Sequence, residues 1–290
     1  MLLIKDENTL RTFLPNAFAS VEGEVSLFDK LQPWLQIGEL WLQQKVLGAA
    51  TMHAISEEAS SPLGGTGGGL YCLSCKIVVS TAFRRAIPSL DLVLTPNGFG
   101  IVSNSNVAPA SKERIERLQA ELDASRDEDI NSLLLLLPLR EDWHESLPYR
   151  FWSSTLFPNL EVCESVTAPS CSSVSTKYDG YLKLHPRIIA IEDQMAEEFL
   201  SSELLEHLRH QLCTAPMEIS QDERKILKKI KSEIINLLNG FPPNREHLFS
   251  IVNFIRQHED EFPLWHTSDT AKLFTPPIFE NKKKAAGYFF

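Results

Sequence analysis

Cysteine is scarce: five among 290 residues, an odd and sparse set that agrees with a reducing compartment. Long apolar runs are missing too. The longest aliphatic stretch, Leu133 to Leu137, is far too short to cross a bilayer, so no membrane span is expected. Positive charge is in deficit, with 28 Lys and Arg against 38 Asp and Glu, a net charge of -10. Both sides of residue 150 share it, at -6 up to that residue and -4 beyond, so neither half reads as a basic nucleic-acid module and sequence-specific nucleic-acid binding is not expected. The N-terminus turns acidic at Asp6-Glu7 before a signal-peptide core could form. Composition thus points to a soluble intracellular globular protein that stays where it is made.

What is present is mostly helical spacing. Leu31, Trp34, Leu35, Leu42 and Val46 recur at three- and four-residue steps, Gly48 is placed to end that helix, and Pro33 is expected in its first turn. A second stretch reads almost alike. Shifted by 153 residues, Lys30, Leu31, Pro33, Glu39 and Leu47 meet Lys183, Leu184, Pro186, Glu192 and Leu200, and Phe28, Leu35, Leu42 and Val46 meet Tyr181, Ile188, Met195 and Phe199. The fold class expected is therefore mainly α: two related helical halves with a protruding β-hairpin and irregular arms. The halves are placed at 1–157 and 181–290, joined by a Ser/Thr-rich connecting segment at 158–180.

In the first half the glycines of 64–69 read as a mobile surface loop and Lys76 to Ala86 as a buried helix ending at Pro88. Two short alternating runs, from Leu90 to Thr95 and from Phe99 to Ser103, predict the hairpin. Because Pro96 has no N–H for a ladder, a three-residue connection with Gly98 left-handed is expected, so that Thr95 faces Phe99. Ser111 is a plausible N-cap for the helix that follows. In the second half, periodic apolar residues predict helices at 196–212, 220–239 and 244–258, with a Ser220–Glu223 capping box and a stop at Gly240-Phe241-Pro242-Pro243.

Candidate chemistry is thin. Cys72 and Cys75 have C-x-x-C spacing, but no second pair completes a zinc site and buried thiols are the simpler reading. His207 and His210 could share a metal on one helix face, yet no third ligand stands at a familiar spacing. Neither a phosphate-loop ending after the glycine cluster nor a G-x-S-x-G elbow occurs, and Arg224, Lys225, Lys228, Lys229 and Lys231 read as a solvated helix face. No enzyme, metal or cofactor is expected. The aromatic terminus Tyr288-Phe289-Phe290 is different: three rings after a lysine triplet should dock on the chain's own domain or on a neighbouring subunit.

The block Ala82-Phe83-Arg84-Arg85-Ala86-Ile87-Pro88-Ser89-Leu90-Asp91-Leu92, through Asn97-Gly98-Phe99-Gly100-Ile101-Val102-Ser103 to Ala108-Pro109-Ala110-Ser111, resembles an uncharacterised family of tailed phages and prophages of Bacteroides-type bacteria, as does Phe279-Glu280-Asn281-Lys282 with the aromatic end. By analogy that family looks like head–tail connector or neck proteins, helical subunits assembled as a ring between portal and tail. The resemblance implies a structural virion protein, made in the bacterial cytoplasm, with a homo-oligomer and portal or tail components as partners and DNA nearby. It carries no catalytic residues. Two halves in one chain depart from the simplest connector and leave ring stoichiometry open. Pro96, Asn97, Gly98, Phe99, Phe279, Tyr288, Phe289 and Phe290 are the candidate subunit-interface residues. The alternative is a non-enzymatic cytoplasmic protein-interaction module of unknown partner.

Overall fold

The computed structural model describes residues 2–14, 26–59, 67–90, 92–95, 98–101, 111–167 and 176–275. Its elements are overwhelmingly helical. Helices α1 (Glu7–Phe13), α2 (Leu27–Leu42), α3 (Ala49–Ala59), α4 (Gly67–Leu90), α5 (Lys112–Leu136), α6 (Glu141–His144) and α7 (Leu147–Trp152) make up the first unit. The second unit has α8 (Val162–Ser165), α9 (Lys177–Met195), α10 (Ser202–Thr214), α11 (Gln221–Leu238), α12 (Arg245–Gln257), α13 (Pro263–His266) and α14 (Asp269–Leu273). Between α4 and α5, strands β1 (Leu92–Thr95) and β2 (Gly98–Ile101) pair antiparallel, with Thr95 opposite Gly98 and Leu94 opposite Phe99. The expected Thr95–Phe99 register is therefore replaced by one in which Thr95 faces Gly98.

Helix α2 starts where Ser26 accepts the Asp29 N–H, which puts Pro33 inside the helix rather than in its first turn. An interior proline costs about 3 kcal/mol. That cost is offset by the face carrying Leu31, Leu35 and Leu42, all buried. Helix α4 likewise runs past its expected limits, from Gly67 through Pro88 to Leu90. Its continuous burial at Leu70, Cys75, Ile77, Val78, Ala82 and Ala86 explains why tertiary packing outweighs the breakers at its ends. The capping box at Ser220 and Glu223 forms as expected. Ser111 stands at the α5 N-cap, but its side chain makes no capping bond.

The two units repeat one another in detail. Each long helix, α2 and α9, carries an internal proline (Pro33, Pro186) and runs into a five-residue π turn, Gln43–Leu47 in one and Ala196–Leu200 in the other. Both turns end on an N–H to the carbonyl five residues back, Gly48 to Gln43 and Ser201 to Ala196, each at 2.8 Å. Both closing residues are left-handed, with φ of 83° at Gly48 and 71° at Ser201. Glu39 and Glu192, 153 apart, are buried and accept N–H groups of the segment that opens each unit: Leu2, Leu3 and Ile4 for Glu39, and Leu156 for Glu192. Leu3 and Leu156 are also 153 apart.

Each unit closes in the same way. The indole of Trp143 donates to the Val46 carbonyl and that of Trp265 to the Phe199 carbonyl, both at 2.8 Å. Each tryptophan opens a Trp-His-x-Ser turn whose serine, Ser146 or Ser268, caps the next short helix, α7 or α14. His144 Nε2 lies 3.2 Å from the Pro138 carbonyl oxygen, and His266 Nε2 lies 3.1 Å from that of Ile255. The second unit is the shorter. It has a tight link at residues 239–244 where the first carries the strand pair, and α12 has 13 residues against 25 in α5.

Candidate assembly surface

The units meet through unlike surfaces. The first contributes the end of its last helix, α7: Phe151 stacks on His185 with ring centroids 4.2 Å apart, and Trp152 stacks on Tyr181 at 4.9 Å. The second contributes the start of its first long helix, α9, where Tyr178 also meets Trp41 edge-on at 5.1 Å. Flat rings offset or edge-on are the favoured aromatic arrangements. Polar contacts fix the register: Leu160 N–H donates to Asn131 Oδ1 at 3.0 Å and Lys177 N–H donates to Asp127, while within the first unit Trp152 Nε1 donates to the Lys45 carbonyl at 3.0 Å and holds its ring in place. Burial raises the Tyr181 hydroxyl pKa and lowers that of the His185 imidazole, so both are neutral near pH 7. His185 Nε2 is also 2.9 Å from Ser154 Oγ.

At the far end of the second unit, the counterpart of this α7 edge meets no further unit among the described residues. Leu273, eight residues beyond Trp265 as Phe151 is beyond Trp143, is 72% exposed. Beside it Phe274 packs with Phe199, Phe249 and Trp265, centroids 6.1 to 6.3 Å apart, and Phe249 is itself half exposed. A groove of about 360 Å³ adjoins this cluster, lined by Met195, Phe199, Leu237, Pro243 and Leu248.

The backbone of Gly98 and Phe99 lies in β2, while Pro96, Asn97, Phe279, Tyr288, Phe289 and Phe290 fall outside the described residues. Cys72 is exposed and Cys75 buried on α4, and burial pushes the Cys75 thiol up to about 12, away from any nucleophilic thiolate. His207 bonds Glu223 at 3.1 Å instead of turning toward His210, and among the described residues no three His, Cys, Asp or Glu gather as a metal site. The α11 cations divide. Lys225 and Lys229 lie over the Phe254 ring, both at 5.7 Å, while Arg224, Lys228 and Lys231 edge a groove of about 520 Å³. The junction residues Phe151, Trp152, Tyr181 and His185 escaped the sequence reading, although the aromatic density of Tyr149-Arg150-Phe151-Trp152 was a signal for them.

The profile of a family of unknown function, DUF6712, matches residues 44–151, just over a third of the chain. That span runs from the first π turn to α7, within the first unit. No curated protein and no solved structure matches the chain.

Proposed function

We propose that the chain is a structural virion protein of a tailed phage or prophage, a head–tail connector or neck subunit that forms a homo-oligomer between portal and tail. The observation that supports this reading is the junction between the units. Like modules are joined by unlike faces, and among the described residues the second module leaves its apolar edge at Leu273 uncovered, which suits a part meant to be continued by further protein. Leu147, Leu139 and Phe241 add exposed apolar side chains elsewhere. The strand pair with Pro96, Asn97, Gly98 and Phe99 at its turn, and the tail from Phe279 through Tyr288, Phe289 and Phe290, act in this proposal as further contact arms. Mixing the purified chain with portal rings and tail components of the same phage tests it. Stable co-migration on a gradient, lost on deleting residues 279 to 290 while the helical circular-dichroism signal persists, is the expected result. A chain that stays apart from both partners and is missing from purified particles by mass spectrometry refutes it.

A further inference from the structure

We infer that a second copy of this chain seats the α2 face of its first unit on the free α14 edge of the second unit, repeating between molecules the junction each molecule already contains. This rests on the assembly half of the proposal above and names its surface. On the donor side, the shared Trp-His-x-Ser turn places Leu273 and Phe274 where Phe151 and Trp152 stand. On the acceptor side, the shift of 153 residues places Phe28 and Gln32 where Tyr181 and His185 stand.

The acceptor side keeps its chemistry, and the donor side its apolar character. Phe28 preserves the ring and Gln32 a flat polar group, and Phe28, Gln32, Gln36 and Leu40 form one i, i+4 row along α2, with Leu40 51% exposed. Within the molecule, Phe151 is covered by Tyr181 and His185. Its counterpart Leu273 is covered by nothing comparable among the described residues. Because donor and acceptor are different faces, the contact is heterologous: each added copy presents a fresh donor edge, and the series closes into a ring or runs open according to its rotation. The occupant is thus specified as another copy by the pairing the chain already makes with itself.

Paired cysteines test the geometry. Phe151 and His185 ring centroids are 4.2 Å apart, so Leu273→Cys on one copy and Gln32→Cys on the next come within reach of a flexible bis-maleimide cross-linker. In a background with Cys72→Ser, Cys163→Ser and Cys171→Ser, cross-linking of the double variant should give a ladder of dimers, trimers and higher species on denaturing gels. A mixture of the two single variants should stop at dimers joined between them. Leu273→Glu should weaken self-association at least tenfold by light scattering without changing the helical signal. Copies that associate but do not cross-link, with Leu273→Glu harmless, overturn this surface and leave the assembly proposal standing. A double variant that stays monomeric and uncross-linked at the highest soluble concentration overturns the inference; co-migration with portal rings then decides the virion proposal separately.

Discussion

Replacing Glu39 with alanine removes one carboxylate that serves three consecutive backbone N–H groups, those of Leu2 at 3.0 Å, Leu3 at 2.9 Å and Ile4 at 3.3 Å. Leu2 reaches the surface and can turn to water. Leu3 and Ile4 are fully buried. Each buried donor left without a partner costs about 1–3 kcal/mol, so the substitution should cost about 2–6 kcal/mol. Glu39→Gln keeps one carbonyl oxygen for Leu3 and Ile4 and should recover roughly half of that loss. Glu192 is the same residue in the other unit with a different clientele: the Leu156 N–H at 2.9 Å and the guanidinium of Arg209 at 2.8 Å. Glu192→Ala leaves the partly buried Arg209 guanidinium with only the exposed Asp193, 3.5 Å away, and the Leu156 N–H without an acceptor, and should cost about 2–4 kcal/mol, part of it restored when Arg209→Met is added. Equilibrium urea unfolding followed by far-UV circular dichroism measures all of these, with an unchanged denaturant slope certifying that the unfolding reaction is the same. A loss under about 1 kcal/mol for Glu39→Ala would mean that the opening segment finds other acceptors, and the proposed equivalence of the two carboxylates would fall.

Gly48→Ala should cost about 1–3 kcal/mol, because the residue is left-handed and a Cβ there would sit 2.6 Å from that of Ser146. Ser201→Gly, at the equivalent turn, should stay within about 1 kcal/mol of wild type, relief of the same strain offsetting loss of the cap on the Leu204 N–H; thermal melts of both variants check the contrast. Trp143→Phe and Trp265→Phe should each lose about 1–3 kcal/mol, the two values agreeing if the indole bonds are equivalent, as read from urea midpoints. His185 is held below its ordinary value of 6.5 by burial, so its share of stability is present above that pH and lost as pH falls through the lowered value. Urea midpoints of wild type and His185→Gln should therefore converge on acidification, and a difference that does not change with pH would contradict the sign.

Periodicity made the helices legible, since apolar residues such as Ile226, Ile230 and Ile234 recur where a buried stripe requires them. The shift of 153 residues was legible because it falls inside one element, α2 against α9. It could not extend to the end of the units: Trp143 and Trp265 are 122 apart, since the second unit lacks the strand pair and has a shorter α12, and a fixed offset cannot follow a deletion. The π turns were hidden for a related reason. One extra residue per turn hardly disturbs an apolar stripe, while the hydrogen bonds that define the turn leave no trace in side-chain type. Pro33 and Pro88 misled because a breaker's local preference was outweighed by burial, on both flanks of Pro33 at Leu31 and Leu35 and before Pro88 at Ala82, Ala86 and Ile87. The candidate surface was the least legible part. Phe151 and His185 are separated by 34 residues and acquire meaning only once the second unit is folded against the first.

The strand pair belongs to one unit and has no counterpart in the short link between α11 and α12. Any closed array built from this polypeptide therefore alternates decorated and plain positions, so its exact rotational order is half the number of helical blocks around the circle. A neighbour that gripped the helical blocks would count twice as many sites as one that gripped the hairpins, which lets a single component present two different multiplicities to the proteins above and below it.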